Sequence, residues 1–184
     1  CPYNYEKTKL IVKEMTELLT LDLVKKNLVT NQIVLEIGYD IDNLKNYDGQ
    51  IDIDRYGRKV PKHAHGTINI DHQTSSTKVI IKATMELYEK IINKKLLVRR
   101  LNITANNVVH ISSVKEETFE QIDLFTNFDE VSKKREKERA EREIQKAMIN
   151  IKSKYGKNAI IKGMNLQKEG TTIERNRQIG GHKE

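Results

Sequence analysis

The sequence has little of what disulfide-linked, membrane-spanning or aromatic-rich proteins need. Its 184 residues include no Trp, one Cys and two Pro, and aromatic residues make up 5%. A single Cys at position 1 leaves no disulfide within the chain and favours a reducing, cytoplasmic setting. No signal peptide and no run of about 18 apolar residues is present, so we expect no membrane span. Because it starts at Cys1-Pro2 without Met, the sequence reads as a piece of a longer protein.

Positive charge is abundant and unevenly distributed. The net charge is +7, and residues 133–184 carry 15 Lys and Arg against 7 Asp and Glu. Residues 36–54 are acidic, whereas residues 55–100 contain eleven bases and three acids. Such separation is typical of a protein that presents one face to a polyanion. Ordinary solvated charge is the open alternative.

Hydrophobic spacing predicts an α+β domain over residues 1–106. Helical periodicity covers 4–27 and 75–93, and period-two alternation predicts strands at 31–39, 63–70 and 96–105. Their order predicts an antiparallel sheet with two helices on one face and the other face open. We expect the domain's first strand to lie before Cys1.

The remaining residues divide into a loop, a linker, a helix and a tail. Residues 40–61 are predicted to form a polar loop, and residues 107–128 an extended linker without sustained periodicity. A helix over 129–155 has a charged first half and an apolar seam in its second half, and Gly156 is its expected stop. The basic, glycine-containing tail 156–184 is predicted to be weakly ordered.

Two side-chain patterns leave metal-dependent chemistry open as an alternative. The pairs Asp40/Asp42 and Asp52/Asp54 resemble the acids that hold Mg²⁺ in phosphoryl-transfer enzymes. The same residues are common in turns, and neither a general base nor a phosphate-binding glycine loop lies nearby. The spacing of His63 and His65 is too unspecific to predict zinc. We therefore expect no metal site and no catalytic residue in this chain.

Basic and hydroxyl side chains give a stronger signal, which favours contacts with a sugar–phosphate backbone. Four bases fall within eight residues that contain no acid: Arg55, Arg58, Lys59 and Lys62. A second group lies at a predicted helix N-terminus, where backbone N–H groups favour anions: Ser75, Ser76, Thr77 and Lys78. Arg99 and Arg100 begin the last strand. Because aromatic residues are few, backbone contacts along a duplex are favoured over stacking on single strands.

A short apolar peptide interrupts the polar linker. It consists of Gln121, Ile122, Asp123, Leu124 and Phe125. Leu124 and Phe125 offer a compact hydrophobic anchor, and an extended peptide of this kind suits a preformed groove on a partner protein. The alternative is that both side chains pack back onto the domain.

Several segments resemble the bacterial Y-family (UmuC/ImpB/MucB/SamB-like) translesion DNA polymerases. The pentapeptide 121–125 is similar to their sliding-clamp-binding peptide, and the element order resembles their little finger domain. The same similarity extends over residues 54–67, 73–78, 97–104, 147–157 and 173–183.

This resemblance implies a DNA-repair role in the SOS response. It implies that the basic and hydroxyl residues above, with Asn102 and Thr104, contact duplex template–primer DNA, and that residues 121–125 bind the bacterial sliding clamp. The family's Mg²⁺-dependent polymerase activity resides in a palm domain that this chain lacks, so the chain alone is expected to be inactive and to hold no cofactor. A recombinase filament or another repair regulator is a further expected partner. A protein-interaction adaptor acting through helix 129–155 remains the alternative function.

Overall fold

The computed structural model describes residues 2–114, 128–179 and 182–183. Its helices are α1 (Tyr5–Lys25), α2 (Thr77–Ile91), α3 (Phe128–Tyr155) and α4 (Thr172–Asn176). Its strands are β1 (Leu28–Tyr39), β2 (Ile51–Ile53), β3 (Lys59–Pro61), β4 (Ala64–Thr74), β5 (Val98–Asn106), β6 (Val109–His110), β7 (Gln178–Ile179) and β8 (His182–Lys183). The predicted α+β class is confirmed.

Strand β1 is the centre of an antiparallel sheet ordered β4-β1-β5, and the short β6 pairs with its first residues. The predicted alternation is confirmed, because Ile33, Leu35 and Ile37 are fully buried while Glu36 is exposed. Helices α1 and α2 cover the buried face, where Val12 and Tyr88 join the same core. One face of the sheet is therefore packed against helices.

Local capping explains where the helices begin and end. The Asn4 side chain accepts the Lys7 N–H at the start of α1, as predicted, and Ser76 accepts the Val79 N–H at the start of α2. Gly156 follows α3 with a φ of +97°, a conformation that glycine adopts without strain. None of these helices, within the described ranges, is both long and apolar enough to cross a membrane.

The segment predicted as a polar loop at 40–61 is more ordered than expected. It contains a 3-10 turn over Ile41–Asn46 and the hairpin formed by β2 and β3. Asp54 organises the hairpin turn by accepting the N–H groups of Tyr56 and Arg58, and Gly57 supplies a φ of +77°. A hairpin with strands of three residues is hard to predict from sequence, because such short strands show little alternation and its turn residues also suit a loop.

Helix α3 docks on the end of the sheet and the start of α2 through polar contacts. Gln145, 3% exposed, donates to the Ser75 carbonyl at 3.0 Å and to the Thr77 hydroxyl at 2.8 Å. Arg142 donates to the Ser75 hydroxyl at 2.6 Å. Glu138 accepts from the Thr74 hydroxyl at 2.6 Å and lies 2.9 Å from His72 Nε2.

The tail after Gly156 has little regular structure, a 3-10 turn at Gly163–Leu166 and the five-residue α4, but it is anchored on α1. Two carboxylates of α1 are buried in contact with the tail. Glu14, 1% exposed, accepts the backbone N–H and the hydroxyl of Thr171. Glu17, 4% exposed, pairs with Lys162 at 3.0 Å. These carboxylates fix the path of the tail along α1.

The packing of α2 on β4 predicts that Gly66→Ala destabilises the fold. A Cβ at Gly66 would lie 2.7 Å from Leu87 Cδ1 and 2.9 Å from Ile91 Cγ2. Overpacking of this kind costs about 1–3 kcal/mol, so we expect the free energy of unfolding in urea to fall by that amount. Gly163→Ala, whose added Cβ meets nothing within 4 Å, is the matched control and should change little. Equal stability of the two variants would contradict this account of the α2–β4 contact.

The contact between His72 and α3 predicts a pH-dependent stability. Hydrogen bonding to Glu138 raises the pKa of His72, against the opposing effect of burial, and the hydrogen bond with Asp71 raises it further. Lys134 of α3 pairs with Asp71 beside this site. Because the pKa is raised on folding, the stabilisation is complete below about pH 6.5, the ordinary value, and is lost as pH rises through the higher folded-state pKa.

Melting temperatures of wild type and His72→Gln, compared at pH 6 and pH 8.5, measure this effect. We expect the wild-type advantage to be larger at pH 6. His65→Gln, which replaces an exposed histidine of the same strand and leaves the His72–Glu138 contact in place, is the matched control. A His72→Gln deficit of the same size at both pH values would rule out the charged imidazole as its source.

Candidate nucleic-acid interface

The sheet face opposite α1 and α2 is lined by polar side chains that bond to one another across the strands. Gln32 on β1 donates to Asn69 on β4 at 2.8 Å and accepts from Asn106 on β5 at 3.0 Å. Four residues further along β1, Glu36 accepts a hydrogen bond from Asn102 on β5 at 3.0 Å. Amides and hydroxyls spaced in this way offer donors to an extended polar partner. We call this surface the open face.

Arg99 and Arg100 lie at the end of the open face, where β1 and β5 shift register between Gly38 and Tyr39. Arg100 is opposite Gly38, and a Cβ at Gly38 would lie 3.3 Å from the Arg100 Cβ. Arg99 keeps a largely exposed side chain with Nη1 3.7 Å from the Asp40 carboxylate. Both arginines therefore present charge at the surface.

The β2–β3 hairpin stands across a cleft of about 860 Å³ from these arginines, and Asn102 lines the same cleft. Its Arg55 and Arg58 stack on the Tyr56 ring at 4.7 and 5.1 Å. Arg58 also donates two hydrogen bonds to Asp54, at 2.9 and 2.7 Å, which lower the pKa of that carboxyl. Arg58 is thus already paired.

The other predicted DNA contacts are less constrained. Lys59 is exposed, and Lys62 is exposed with its Nζ 2.9 Å from the Gln50 side-chain oxygen. Thr104 is exposed on β5, next but one to Asn102. The structure therefore brings Arg55, Arg58, Arg99, Arg100 and Asn102 together around one cleft.

The hydroxyl group at the start of α2 is covered by α3. Ser75, Ser76 and Thr77 are 6%, 4% and 2% exposed. Glu141 of α3 accepts from the Ser76 hydroxyl at 2.6 Å and from the Lys78 N–H at 3.2 Å. A carboxylate is thus bound where the sequence predicts a phosphate, which agrees with the anion preference of a helix N-terminus. With α3 docked, only the Lys78 side chain is exposed to a DNA partner.

The acidic pairs Asp40/Asp42 and Asp52/Asp54, in the segment predicted to be a polar loop, have structural roles. Asp40 caps the 3-10 turn by accepting the Asp42 N–H, and Asp52 lies 3.4 Å from the ring of His63. Among the residues that the structure describes, no three His, Cys, Asp or Glu side chains form a group suited to a metal ion. The metal-dependent alternative therefore gains no support from this region.

Three features of the site escape prediction from the sequence. The cross-strand amide ladder depends on register, and the α3 carboxylates over Ser76 come from a helix 65 residues away in sequence. Arg175 lines a cavity with Arg99 and Arg100, although it lies in the tail. No local pattern signals such long-range polar contacts. The peptide 121–125 lies outside the described residues.

Comparison with known proteins places the chain in a family. The model of the impB/mucB/samB family C-terminal domain matches residues 3–124, well over half of the chain. The chain is also similar to the "Putative UV-damage repair protein UvrX" of Bacillus subtilis (strain 168), with 27% identity over 178 residues. That similarity covers 97% of this chain and 35% of the relative, so the chain spans about a third of the relative's length.

The family match includes α1, α2 and all the strands from β1 to β6, which together form the sheet, its covering helices and the hairpin. The chain therefore belongs to the impB/mucB/samB family, and residues 3–124 are its C-terminal domain.

Proposed function

We propose that this chain is the DNA-holding and clamp-tethering C-terminal region of a translesion DNA polymerase, and that it grips duplex template–primer by the sugar–phosphate backbone. The observation that carries the proposal is the open face, which ends in Arg99 and Arg100 beside the hairpin cleft. Membership of the family and the similarity to a repair protein support it. Nucleotide transfer, with its Mg²⁺, is assigned to another part of the parent polymerase.

The dimensions of the open face favour backbone contacts over base reading. Three strands about 4.8 Å apart give a surface roughly 10 Å wide before side chains are added. A major groove about 12 Å wide admits an α-helix or a two-stranded ribbon. A three-stranded sheet therefore lies over the groove, and the side chains of its outer strands meet the phosphates on either side. Binding of this kind is independent of base sequence.

The ion pairs at the site do not prevent phosphate binding. Arg99 is 63% exposed, and its 3.7 Å contact with Asp40 is long for a charge-assisted hydrogen bond. The Asp40 side chain is only 8% exposed, but it also accepts the Asp42 N–H, so it keeps a hydrogen bond when a phosphate takes its place at Arg99. Arg100 has no ion-pair partner among the described residues. Arg99 and Arg100 are therefore the strongest candidates for phosphate contacts.

The clamp tether is assigned to Gln121–Phe125. The pentapeptide lies between the sheet domain and α3, and its Leu124 and Phe125 provide the apolar anchor that a groove on the clamp requires. The peptide sequence and the family membership support this assignment.

A second candidate function, a protein-interaction adaptor, is favoured by one face of α3. Ile144, Ile151 and Tyr155 are 63%, 36% and 76% exposed, whereas Gln145 and Met148 of the same helix are buried, at 3% and 8%. Apolar side chains on a helix usually face the protein body, so this arrangement is unusual. Protein binding through this face is compatible with DNA binding through the open face, and the variants below separate the two.

Replacing Arg99 and Arg100 with Ala is expected to weaken duplex binding and its salt dependence. Each phosphate contact neutralised contributes roughly −0.9 to the slope of log affinity against log salt, so the double variant should flatten the slope by up to about 1.8. Affinity should fall similarly on duplexes of unrelated sequence. Fluorescence anisotropy of labelled duplexes in a salt series measures both quantities.

Lys82→Ala/Lys90→Ala removes the same charge from exposed positions on α2, on the other side of the sheet, and is the matched control. It should keep the wild-type slope. If both double variants flatten the slope equally, net charge and not the proposed interface governs binding.

Replacing Leu124 and Phe125 with Ala is expected to abolish clamp binding without affecting the fold. Burying each side chain is worth about 1.5–3 kcal/mol, so the double variant should lose roughly 3–5 kcal/mol, more than a hundredfold in affinity. Gln121→Ala should lose about 1–2 kcal/mol, the value of one buried amide. Calorimetric titration into purified clamp measures the affinities, and thermal melts measure the stability.

Ile144→Ala/Ile151→Ala is the control for apolar binding in general and tests the α3 face at the same time. It should leave clamp affinity unchanged. Unchanged affinity in the Leu124/Phe125 variant would refute the assignment, and a large drop in its melting temperature would identify those residues as part of the core.

A further inference from the structure

A second cavity lies where α1, β5 and the C-terminal tail meet. It has a volume of about 250 Å³, and its lining includes Tyr3, Arg99, Arg100, Thr171 and Arg175. None of its lining residues, all of which belong to the described part of the chain, is acidic. Three arginines among the lining residues, with no carboxylate to balance them, favour an anion at this cavity.

Arg175 is held toward this cavity by buried contacts at the base of its short helix. Its backbone N–H donates to the Thr171 carbonyl at 2.9 Å, and Thr171 is in turn bound by the Glu14 carboxylate. Glu14 also accepts the Thr172 N–H, so this carboxylate is already engaged by the backbone that carries Arg175. The position of Arg175 is therefore set by α1 and does not depend on a free tail.

The guanidinium of Arg175 has unused hydrogen-bonding capacity. Its Nη1 is buried and has no hydrogen-bond partner among the described residues. Buried donors in folded proteins are almost always paired, and a guanidinium is suited to bind two oxygens of one phosphate. The unpaired Nη1 is evidence independent of the charge of the cavity, and it also favours a ligand with an oxygen acceptor.

The cavity shares two lining residues, Arg99 and Arg100, with the hairpin cleft. A duplex that contacts these two arginines would therefore carry backbone phosphates near the cavity that Arg175 lines. The tail would then contribute to DNA binding, although it lies beyond the family domain that ends at residue 124.

We propose that Arg175 binds a phosphate group of the duplex backbone next to those that Arg99 and Arg100 contact, so that the tail forms part of the DNA interface. This inference rests on the proposed function. The chemistry that recognises the ligand is that of a phosphate oxyanion, whether it belongs to DNA or is free in solution, and the two arms of the test distinguish these sources.

The first arm measures duplex affinity of the whole chain against salt concentration for Arg175→Ala and Arg177→Ala. Arg177 is two residues further along the tail, is exposed and does not line the cavity, so its variant removes the same charge from the same segment. We expect Arg175→Ala to flatten the log–log slope by about 0.9 and to lose more affinity at low salt than at high salt. Arg177→Ala should keep the wild-type slope, and Arg175→Lys, which preserves the charge, should retain most of it.

The second arm measures melting temperature in inorganic phosphate and in chloride at equal ionic strength. Phosphate should stabilise the wild type and Arg177→Ala more than it stabilises Arg175→Ala. If phosphate raises the melting temperature in this way but Arg175→Ala keeps the wild-type slope for duplex binding, the cavity takes free phosphate only. That result would overturn the assignment to DNA.

Equal slopes for Arg175→Ala and Arg177→Ala would also overturn it. If Arg99→Ala/Arg100→Ala flattens the slope in that case, the proposed function stands and only the role of the tail fails. If the wild type itself shows no steep salt dependence, both proposals fall together.

Discussion

The burial of one face of β1 is the constraint on which the rest of this structure depends. Ile33, Leu35 and Ile37 are completely buried between the sheet and helices α1 and α2. Because strand side chains alternate, this burial forces Gln32, Val34 and Glu36 onto the opposite side. A one-residue shift in register would exchange the two faces. The same interaction that stabilises the core thus creates the polar surface assigned to DNA.

The parts that the sequence predicts are those in which the pattern is local. Alternation along β1 and β4, the capping residue Asn4 and the stop at Gly156 all appear within a few residues of sequence. The hairpin β2–β3 was concealed because each of its strands has three residues and its turn chemistry also suits a loop. The docking of α3 and of the tail depends on hydrogen bonds between residues 63 to 158 positions apart, which no local periodicity encodes.

Among the candidate site residues, tertiary structure divides groups that look alike in sequence. Arg99, Arg100 and the hairpin arginines are exposed around one cleft, whereas the hydroxyls of Ser75–Thr77 are buried under α3. The N-terminus of α2 favours an anion whether that anion is a phosphate or a carboxylate. In this structure Glu141 satisfies this preference, so the chain's own carboxylate takes the place of a phosphate oxygen. The proposed binding to the DNA backbone therefore rests first on the groups around Arg99 and Arg100.

The docking of α3 also limits where a clamp bound to Gln121–Phe125 could lie. Thirteen residues, 115–127, join the last described residue of the domain to α3, and a chain of that length spans at most about 45 Å. Both flanking segments contact the same body, because α3 is bonded to Ser75 and Thr77. If the proposed clamp contact is made at Gln121–Phe125, the length of this segment limits how far the clamp can lie from the sheet domain.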